Sequence, residues 1–225
     1  MIKVSRKKTV SPGRKFAQVR DGAWRVFVRD GFAGASVDDI ASAAGVSKAT
    51  LYAYFPDKRL MFEEVVRAEM DRVRDHPLDN VPQGLPATDA IPRLTLAVAS
   101  WLTAERRSQL ARLIVGEAVR FPSIATTYHD LFAKALADEV RERLDHFVAR
   151  GELDIPDTAL AAEQLIHLCG VQTLDKAVMR LGKPDHETIA HVTSVAGDLF
   201  LRAYAPDGAT QRNHGPRPTK SIAVA

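Results

Sequence analysis

The stretch Gly31–Leu60, GFAGASVDDIASAAGVSKATLYAYFPDKRL, decides the fold of this 225-residue chain. It reads as two short helices joined by a tight turn, followed by the start of a third helix. Small residues at Ala41 and Ala44 let two helices approach closely, and Gly45 is a typical helix stop. The pattern predicts a helix-turn-helix, an arrangement that places its second helix in the major groove of DNA.

Cap signals define where these predicted helices begin. Ser36, with Asp39 three positions later, forms a variant of the capping box and starts the first of them. Ser47 is positioned to cap the recognition helix, which we expect over 48–55. Asp57 follows a proline and caps a longer helix. Upstream, apolar residues recur at helical spacing over 14–30, which completes a predicted three-helix domain.

Charge is distributed unevenly along the chain. Residues 1–60 carry twelve Lys and Arg against five Asp and Glu, whereas the remainder carries nineteen against twenty-three. Because residues 1–60 are basic and the remainder is mildly acidic, we expect the N-terminal part to bind a polyanion. Residues 1–13 form a basic arm that we expect to be flexible. It either follows DNA phosphates or serves only as a solubilising tail.

Composition excludes several classes of protein. Apolar residues make up 46% and charged residues 26%, as in ordinary globular proteins. The chain holds one cysteine, and it shows neither a signal peptide nor a membrane-spanning stretch, so we expect a cytoplasmic protein. The sequence has no phosphate-binding glycine loop, no local nucleophile motif and no paired metal ligands. We therefore expect no enzyme, no metal and no cofactor.

The domain organisation follows from breaks in the helical pattern. Residues 76–89 are rich in Pro and Gly and predict a loop between two domains. Helical periods then resume at about 90–104, 106–121, 123–150, 157–181 and 185–204, without strand-like alternation, so the fold is predicted to be all-α. The expected divisions are a flexible arm at 1–13, a DNA-binding domain at 14–75, a second helical domain at 85–205 and a disordered tail at 206–225.

The facing of the recognition helix predicts which residues meet DNA. Leu51 and Phe55 lie four apart and should face the core, so the opposite side points outward. Small outward residues let the helix approach base edges, while hydroxyl and amino groups beside them reach phosphates. Tyr54 has two interpretations, since its ring is equally suited to pack between helices. The predicted DNA-binding residues are Ser36, Ser47, Lys48, Ala49, Thr50, Tyr52, Ala53, Tyr54 and Lys58.

Residues 14–74 resemble the DNA-binding domain of the TetR/AcrR family of bacterial transcriptional regulators. The resemblance rests on Gly31-Phe32, Ser36-Val37-x-x-Ile40-Ala41, Ala44-Gly45-Val46-Ser47, Thr50-Leu51-Tyr52-x-Tyr54-Phe55 and Lys58. It implies a homodimer that binds a palindromic operator, usually as a repressor released by a small molecule. Two features depart from the family pattern: Ala49 stands where glycine is common, and the first helix carries Gly22 and Trp24.

The resemblance further implies that the C-terminal half dimerises through the last two helices and senses an effector. An apolar stripe formed by Ile189, Val192, Ala196, Leu199 and Ala203 favours dimerisation, although two helices buried within one monomer would show the same pattern. The candidate effector-binding residues are Trp101, Glu117, Phe121, Tyr128, Phe132 and His167, each of which has ordinary core packing or a local ion pair as its alternative.

The sequence is therefore interpreted as a ligand-responsive, homodimeric DNA-binding regulator, expected to be a repressor. Its partners would be double-stranded operator DNA, an unidentified small-molecule effector and a second copy of the chain, with no membrane involved. A regulator that works without a small molecule is the first alternative. An all-α enzyme or carrier with a DNA-binding head is the second.

Overall fold

The computed structural model describes residues 13–179, 182 and 184–206, with the backbone alone for 171–175 and 177. The described residues contain helices and no β-strand, which confirms the all-α prediction. The α-helices are α1 (Arg14–Gly34), α2 (Val37–Ala44), α3 (Lys48–Tyr54), α4 (Lys58–Arg72), α5 (Ala87–Leu102), α6 (Glu105–Glu117), α7 (Pro122–Tyr128), α8 (Ala135–Ala149), α9 (Thr158–Val178) and α10 (His186–Ala203).

Two shorter elements interrupt this series. A 3₁₀ turn lies at Pro77–Asn80 and a π-helical turn at His129–Lys134, between α7 and α8. Nearly all of the arm at 1–13 and of the tail at 206–225 lies outside the described residues. Within the described part of the chain, no helix is both long and apolar enough to cross a membrane.

The chain forms two compact units that are not simply its two halves. Unit 1 comprises Met1–Asp75 and Arg106–Leu131, and unit 2 comprises His76–Glu105 and Phe132–Ala225. This division differs from the expected boundary in the 76–89 loop, because α6 and α7 belong to unit 1. Long-range packing is responsible, and the sequence pattern of α6 does not reveal it.

A buried ion pair ties α6 to α4 within unit 1. Glu69 on α4 is only 1% exposed, and its carboxylate accepts a hydrogen bond from Arg106 Nη2 at 2.8 Å. The Arg106 guanidinium also lies over the ring of Trp24 on α1, 5.6 Å from its centroid. Arg72 on α4 itself lies 3.3 Å from the same carboxylate, so Glu69 has two arginine partners to offset its desolvation, and the one from α6 makes the shorter contact.

The α1–α2 contact in unit 1 depends on Gly22. A Cβ atom placed there would come within 2.7 Å of the Cα, Cβ and N atoms of Ala44 on α2. The sequence marked Gly22 as a departure from the family pattern, and the structure explains it as the point where the two helices come closest. Around this contact the fully buried side chains include Phe27, Ile40, Leu51, Met61 and Phe62.

In unit 2, α5 packs against both α9 and α10. The buried hydroxyl of Thr95 on α5 lies 2.9 Å from the Pro92 carbonyl oxygen of its own helix and 3.1 Å from that of Thr193 on α10, and its single proton is shared between these two acceptors. Gly197 on α10 faces Pro92 on α5, whose Cα would lie 3.5 Å from an added Cβ. Small and polar residues thus set the α5–α10 contact.

Glu152 caps the start of α5 from a distant position in the chain. Pro86 at the N-cap supplies no side-chain cap, and the carboxylate of Glu152 instead accepts from the Ala87 N–H at 2.5 Å. This hydrogen bond, and the one from Arg150, lower the pKa of Glu152. The stabilisation from Glu152 is therefore present above the pKa of the carboxyl in the unfolded chain, and it is lost as the pH falls through the lower, folded value.

We expect Glu152→Ala to lower the free energy of unfolding by about 1 kcal/mol at neutral pH, since it removes a helix N-cap. The difference from the wild type should shrink as the solution is acidified below the carboxyl titration range. Urea unfolding at several pH values measures both effects. Glu142→Ala, at an exposed position on α8, is the control. A pH-independent loss would contradict the capping role.

Candidate DNA-binding surface

The helix-turn-helix is closed by hydrogen bonds within the chain. Gly45 adopts the left-handed conformation, with φ at 64° and ψ at 37°, and ends α2. The N–H of Val46 reaches back to the carbonyl oxygen of Ala41 at 3.0 Å, and that of Gly45 to Ser42 at 3.1 Å. This αL turn satisfies the last carbonyls of α2 and fixes the direction in which α3 begins.

Three side-chain caps lie where the sequence predicted them. The Ser36 hydroxyl accepts from the Asp39 N–H at 3.0 Å, and the Ser47 hydroxyl accepts from the Thr50 N–H at 3.1 Å. Asp57 accepts from the N–H of the third residue of α4 at 2.8 Å. Ser36 and Ser47 therefore hold helix ends in this structure, in addition to any phosphate contact they make.

The inward face of α3 is the predicted one, whereas Thr50, which the sequence placed on the outward face, is half-buried. Leu51 is fully buried and Phe55, at the C-cap, is 4% exposed, so both belong to the core of unit 1. The outward set is exposed and consists of Lys48, Ala49, Tyr52 and Ala53. Tyr52 is 49% exposed, which leaves a large aromatic surface and a hydroxyl open to a partner. Thr50 is half-buried, and its hydroxyl lies 2.9 Å from that of Ser47.

Two of the predicted DNA-binding residues are engaged in packing. The Tyr54 ring meets the ring of Phe16 edge to face, with centroids 5.6 Å apart. The Lys58 ammonium donates to the Ala35 carbonyl at 2.9 Å and lies 4.7 Å from the Phe32 ring centroid. Both side chains are half-buried. The ring of Tyr54 thus packs between helices, which agrees with one of its two interpretations, and Lys58 reinforces the link between α1 and α2.

Charge pairing modifies the basic character of α3. The Lys48 ammonium lies 2.7 Å from a carboxylate oxygen of Asp38 on α2, and both side chains are exposed. This hydrogen bond raises the pKa of Lys48, so the lysine stays charged at neutral pH. Because the pair is exposed, it contributes little to stability and does not prevent Lys48 from turning toward a phosphate.

One basic residue beside this surface was missed by the sequence reasoning. Arg25 on α1 is exposed, and its guanidinium donates to the carbonyl oxygen of Ala43 near the end of α2. Arg14, Gln18 and Arg25 are spaced by four and seven residues and share one exposed helix face. This spacing in the sequence indicates a polar face of α1, which lies next to the helix-turn-helix.

The candidate effector residues are divided between the two units. Glu117, Phe121 and Tyr128 belong to unit 1, whereas Trp101, Phe132 and His167 belong to unit 2. In unit 2 the rings of Trp101 and Phe132 are buried with centroids 6.1 Å apart. His167 is exposed, and its Nδ1 lies 2.7 Å from the Glu163 carbonyl oxygen of its own helix.

The three candidate effector residues in unit 1 differ in their surroundings. Phe121 is 2% exposed and stacks on Phe62 of α4, with centroids 4.5 Å apart. Glu117 contacts the α1 backbone. Burial raises the pKa of the Tyr128 hydroxyl, which the nearby charge of Arg107 lowers in part. Among the described residues, no three His, Cys, Asp or Glu side chains lie close enough together to hold a metal ion.

This geometry, a capped and closed helix pair with an exposed second helix, defines a helix-turn-helix DNA-binding protein. Comparison with known families agrees. Residues 19–65 match the family model described as bacterial regulatory proteins of the tetR family. Residues 89–206 match the model described as the C-terminal domain of AefR-like transcriptional repressors. The chain belongs to the TetR family of transcriptional regulators.

Individual relatives support the same assignment. The chain is 26% identical over 170 residues to the nucleoid occlusion factor SlmA of Cronobacter sakazakii, covering 74% of this chain and 84% of SlmA. The flavonoid-responsive regulator FrrA has a solved structure that is 31% identical, with a TM-score of 0.65 and coverage of 87% and 99%. A TetR-family structure from Mesorhizobium loti, 22% identical with the same coverage, shares the fold at a TM-score of 0.72.

Proposed function

We propose that this DNA-binding regulator is a repressor that binds a palindromic operator as a homodimer and is released by a small molecule. The single observation that carries the proposal is the outer face of α3, where Lys48, Ala49, Tyr52 and Ala53 are all exposed. Small side chains there let the helix backbone approach base edges, and the lysine and tyrosine beside them suit phosphate and base contacts.

Exposed apolar residues on α9 and α10 support the homodimer. Val195 and Leu199 on α10 are 55% and 53% exposed, and Leu160 on α9 is 51% exposed. In the stripe expected from sequence, Ile189 and Ala196 instead face the interior of unit 2. The outward stripe runs through Val192, Val195, Leu199 and Ala203. A second copy of the chain is the partner proposed for this apolar surface.

The small-molecule effector is proposed from the relative FrrA, which is described as flavonoid-responsive. Within unit 2, the buried rings of Trp101 and Phe132 are the proposed contacts of an apolar or aromatic effector. Repression and release follow the usual behaviour of the family. A regulator that needs no effector remains the alternative. Its affinity for the operator would be unchanged by the addition of any compound tested.

The test begins with genomic DNA fragments selected by the purified wild-type protein, which define the operator. Thr50→Ala and Tyr52→Ala are then each expected to weaken operator binding by about 1–3 kcal/mol, the value of one good base contact. Fluorescence anisotropy with the operator and with unrelated DNA measures specific and non-specific binding separately.

The matched control is Val115→Ala, which truncates a side chain that is 68% exposed on α6. This control should bind like the wild type. Wild-type operator affinity in both the Thr50→Ala and the Tyr52→Ala variants would overturn the assignment of the α3 surface. Failure of the wild-type protein to enrich any DNA would overturn the proposed function itself.

A further inference from the structure

A backbone bend that only glycine adopts readily interrupts α1 at Gly31. It begins the segment 31–36, which includes the last turn of α1 and leads into α2, and which we call the α1–α2 link. Gly31 has φ at 68° and ψ at −179°, a region that side chains with a Cβ avoid. A Cβ at this position would also lie 3.2 Å from Oε1 of Glu117. The backbone at Gly31 and the Glu117 carboxylate are therefore tightly packed against each other, although they are far apart in sequence.

The bend places the next backbone N–H against that carboxylate. Phe32 N–H donates to Glu117 Oε1 at 2.9 Å, across 85 residues of sequence. The other carboxylate oxygen, Oε2, accepts from Arg120 Nη1 at 2.8 Å. The Glu117 side chain is only 13% exposed, so its bond to the Phe32 N–H is partly shielded from water, whereas the Arg120 side chain is 47% exposed. Each oxygen of Glu117 thus has its own partner, and one of them is the α1–α2 link.

Ring contacts hold the same link from a second direction. The Phe32 ring meets Phe62 of α4 and Phe121 at the start of α7 edge to face, with centroids 5.3 and 4.9 Å apart. Lys58 at the start of α4 donates to Ala35, the last residue before the cap of α2. Residues of α4, α6 and α7, all within unit 1, therefore contact the segment from which α2 begins.

We propose that Glu117 is a positioning residue for DNA recognition, which acts through the Phe32 amide to set the direction in which α2 and α3 leave α1. Because α2 and α3 are joined by a closed turn, a shift of the link moves them together. Glu117 lies on α6, outside the helix-turn-helix, and needs no contact with DNA for this role. The inference rests on the proposed operator binding by α3.

Two conservative variants separate this role from a simple charge effect. Glu117→Gln keeps the length of the side chain and an oxygen that can accept from Phe32 N–H, but it loses the negative charge. Glu117→Asp keeps the charge and is one methylene shorter, so its carboxylate no longer reaches the amide. Gly116→Ala, which has nothing within 4 Å of the added Cβ, is the neighbouring control.

We expect Glu117→Asp to lower operator affinity at least about tenfold while leaving affinity for unrelated DNA unchanged. Glu117→Gln and Gly116→Ala should stay within about threefold of the wild type. Amide hydrogen exchange at Phe32 should be faster in Glu117→Asp than in Glu117→Gln. Fluorescence anisotropy with both DNAs and exchange followed by NMR give these readouts.

The opposite ranking, with Glu117→Gln weaker than Glu117→Asp, would overturn the proposal and assign the effect to charge. Equal losses for operator and unrelated DNA would overturn it as well, because they indicate general damage to unit 1. Wild-type affinity in Glu117→Asp has the same consequence. A wild-type protein that selects no operator is a different result, which removes the proposed function and not the contact between Glu117 and Phe32.

Discussion

Gly22→Val is expected to destabilise unit 1 by about 3 kcal/mol or more, at the upper end of the cost of overpacking a core. The first atom of any side chain at this position would lie 2.7 Å from three atoms of Ala44, two of them backbone. Backbone atoms cannot rotate away as a flexible side chain can, so α1 and α2 must separate. Native domains have only about 5–15 kcal/mol of stability in total, so the loss is large.

The measurement is thermal and urea unfolding by circular dichroism, with the fluorescence of buried Trp24 on α1 as a local probe. Gly116→Ala is the matched control, because it adds the same first atom to a helix where nothing lies within 4 Å. It should be neutral or stabilise the protein by up to about 1 kcal/mol. A Gly22→Val protein with wild-type unfolding and operator binding would show that α1 and α2 do not approach as closely as described.

Leu199→Asp is expected to convert the proposed dimer to a monomer and to lower operator affinity at least about 100-fold. The substitution places a charge on the exposed apolar stripe of α10, where a carboxylate would lose its water on association. Two linked half-site contacts gain about 10²–10⁴ in affinity over one, and a monomer loses that gain. Light scattering coupled to gel filtration gives the mass, and anisotropy gives the affinity.

Ser194→Asp provides the control for this experiment, since Ser194 is also exposed on α10 but lies beside the stripe. It adds the same charge to the same helix and should leave both mass and affinity near their wild-type values. Two results would refute the proposed interface: a wild-type protein that is monomeric yet binds its operator fully, or a Leu199→Asp protein that remains dimeric.

The part of the fold that sequence predicted best is the part built from local interactions. The caps Ser36, Ser47 and Asp57 each bond a backbone N–H three residues away, so the pattern that reveals them lies within one helical turn. The αL stop at Gly45 is equally local. For this reason the helix bounds around the recognition helix, and the inward facing of Leu51, were predictable from residue types alone.

Interactions over long sequence distances were not predictable in the same way. Sequence reasoning marked Glu117 as a carboxylate on an apolar helix face, which made it a candidate for effector binding. Arg120, three residues along the chain, is the local ion-pair partner that the sequence offered as the alternative. The Phe32 N–H lies 85 residues away and is a backbone group, so no residue type indicates that contact. Phe121 likewise lies in a ring cluster with α4, and the assignment of α6 and α7 to unit 1 depends on such contacts.

The division of unit 1 into two separate stretches of chain limits how regulators of this kind can be recombined. A chimera with its crossover after Asp75 would join α4 of one parent to α6 of another. The buried carboxylate of Glu69 would then lose Arg106 of its own parent and keep only Arg72, which lies 3.3 Å away on the same helix. Since Arg106 is 40% exposed and Arg72 remains, the loss of stability is expected to be well below the roughly 3–5 kcal/mol of a fully buried pair. A DNA-binding unit transferred between regulators therefore keeps its own contact between Glu69 and Arg106 only if residues 106–131 are transferred with it.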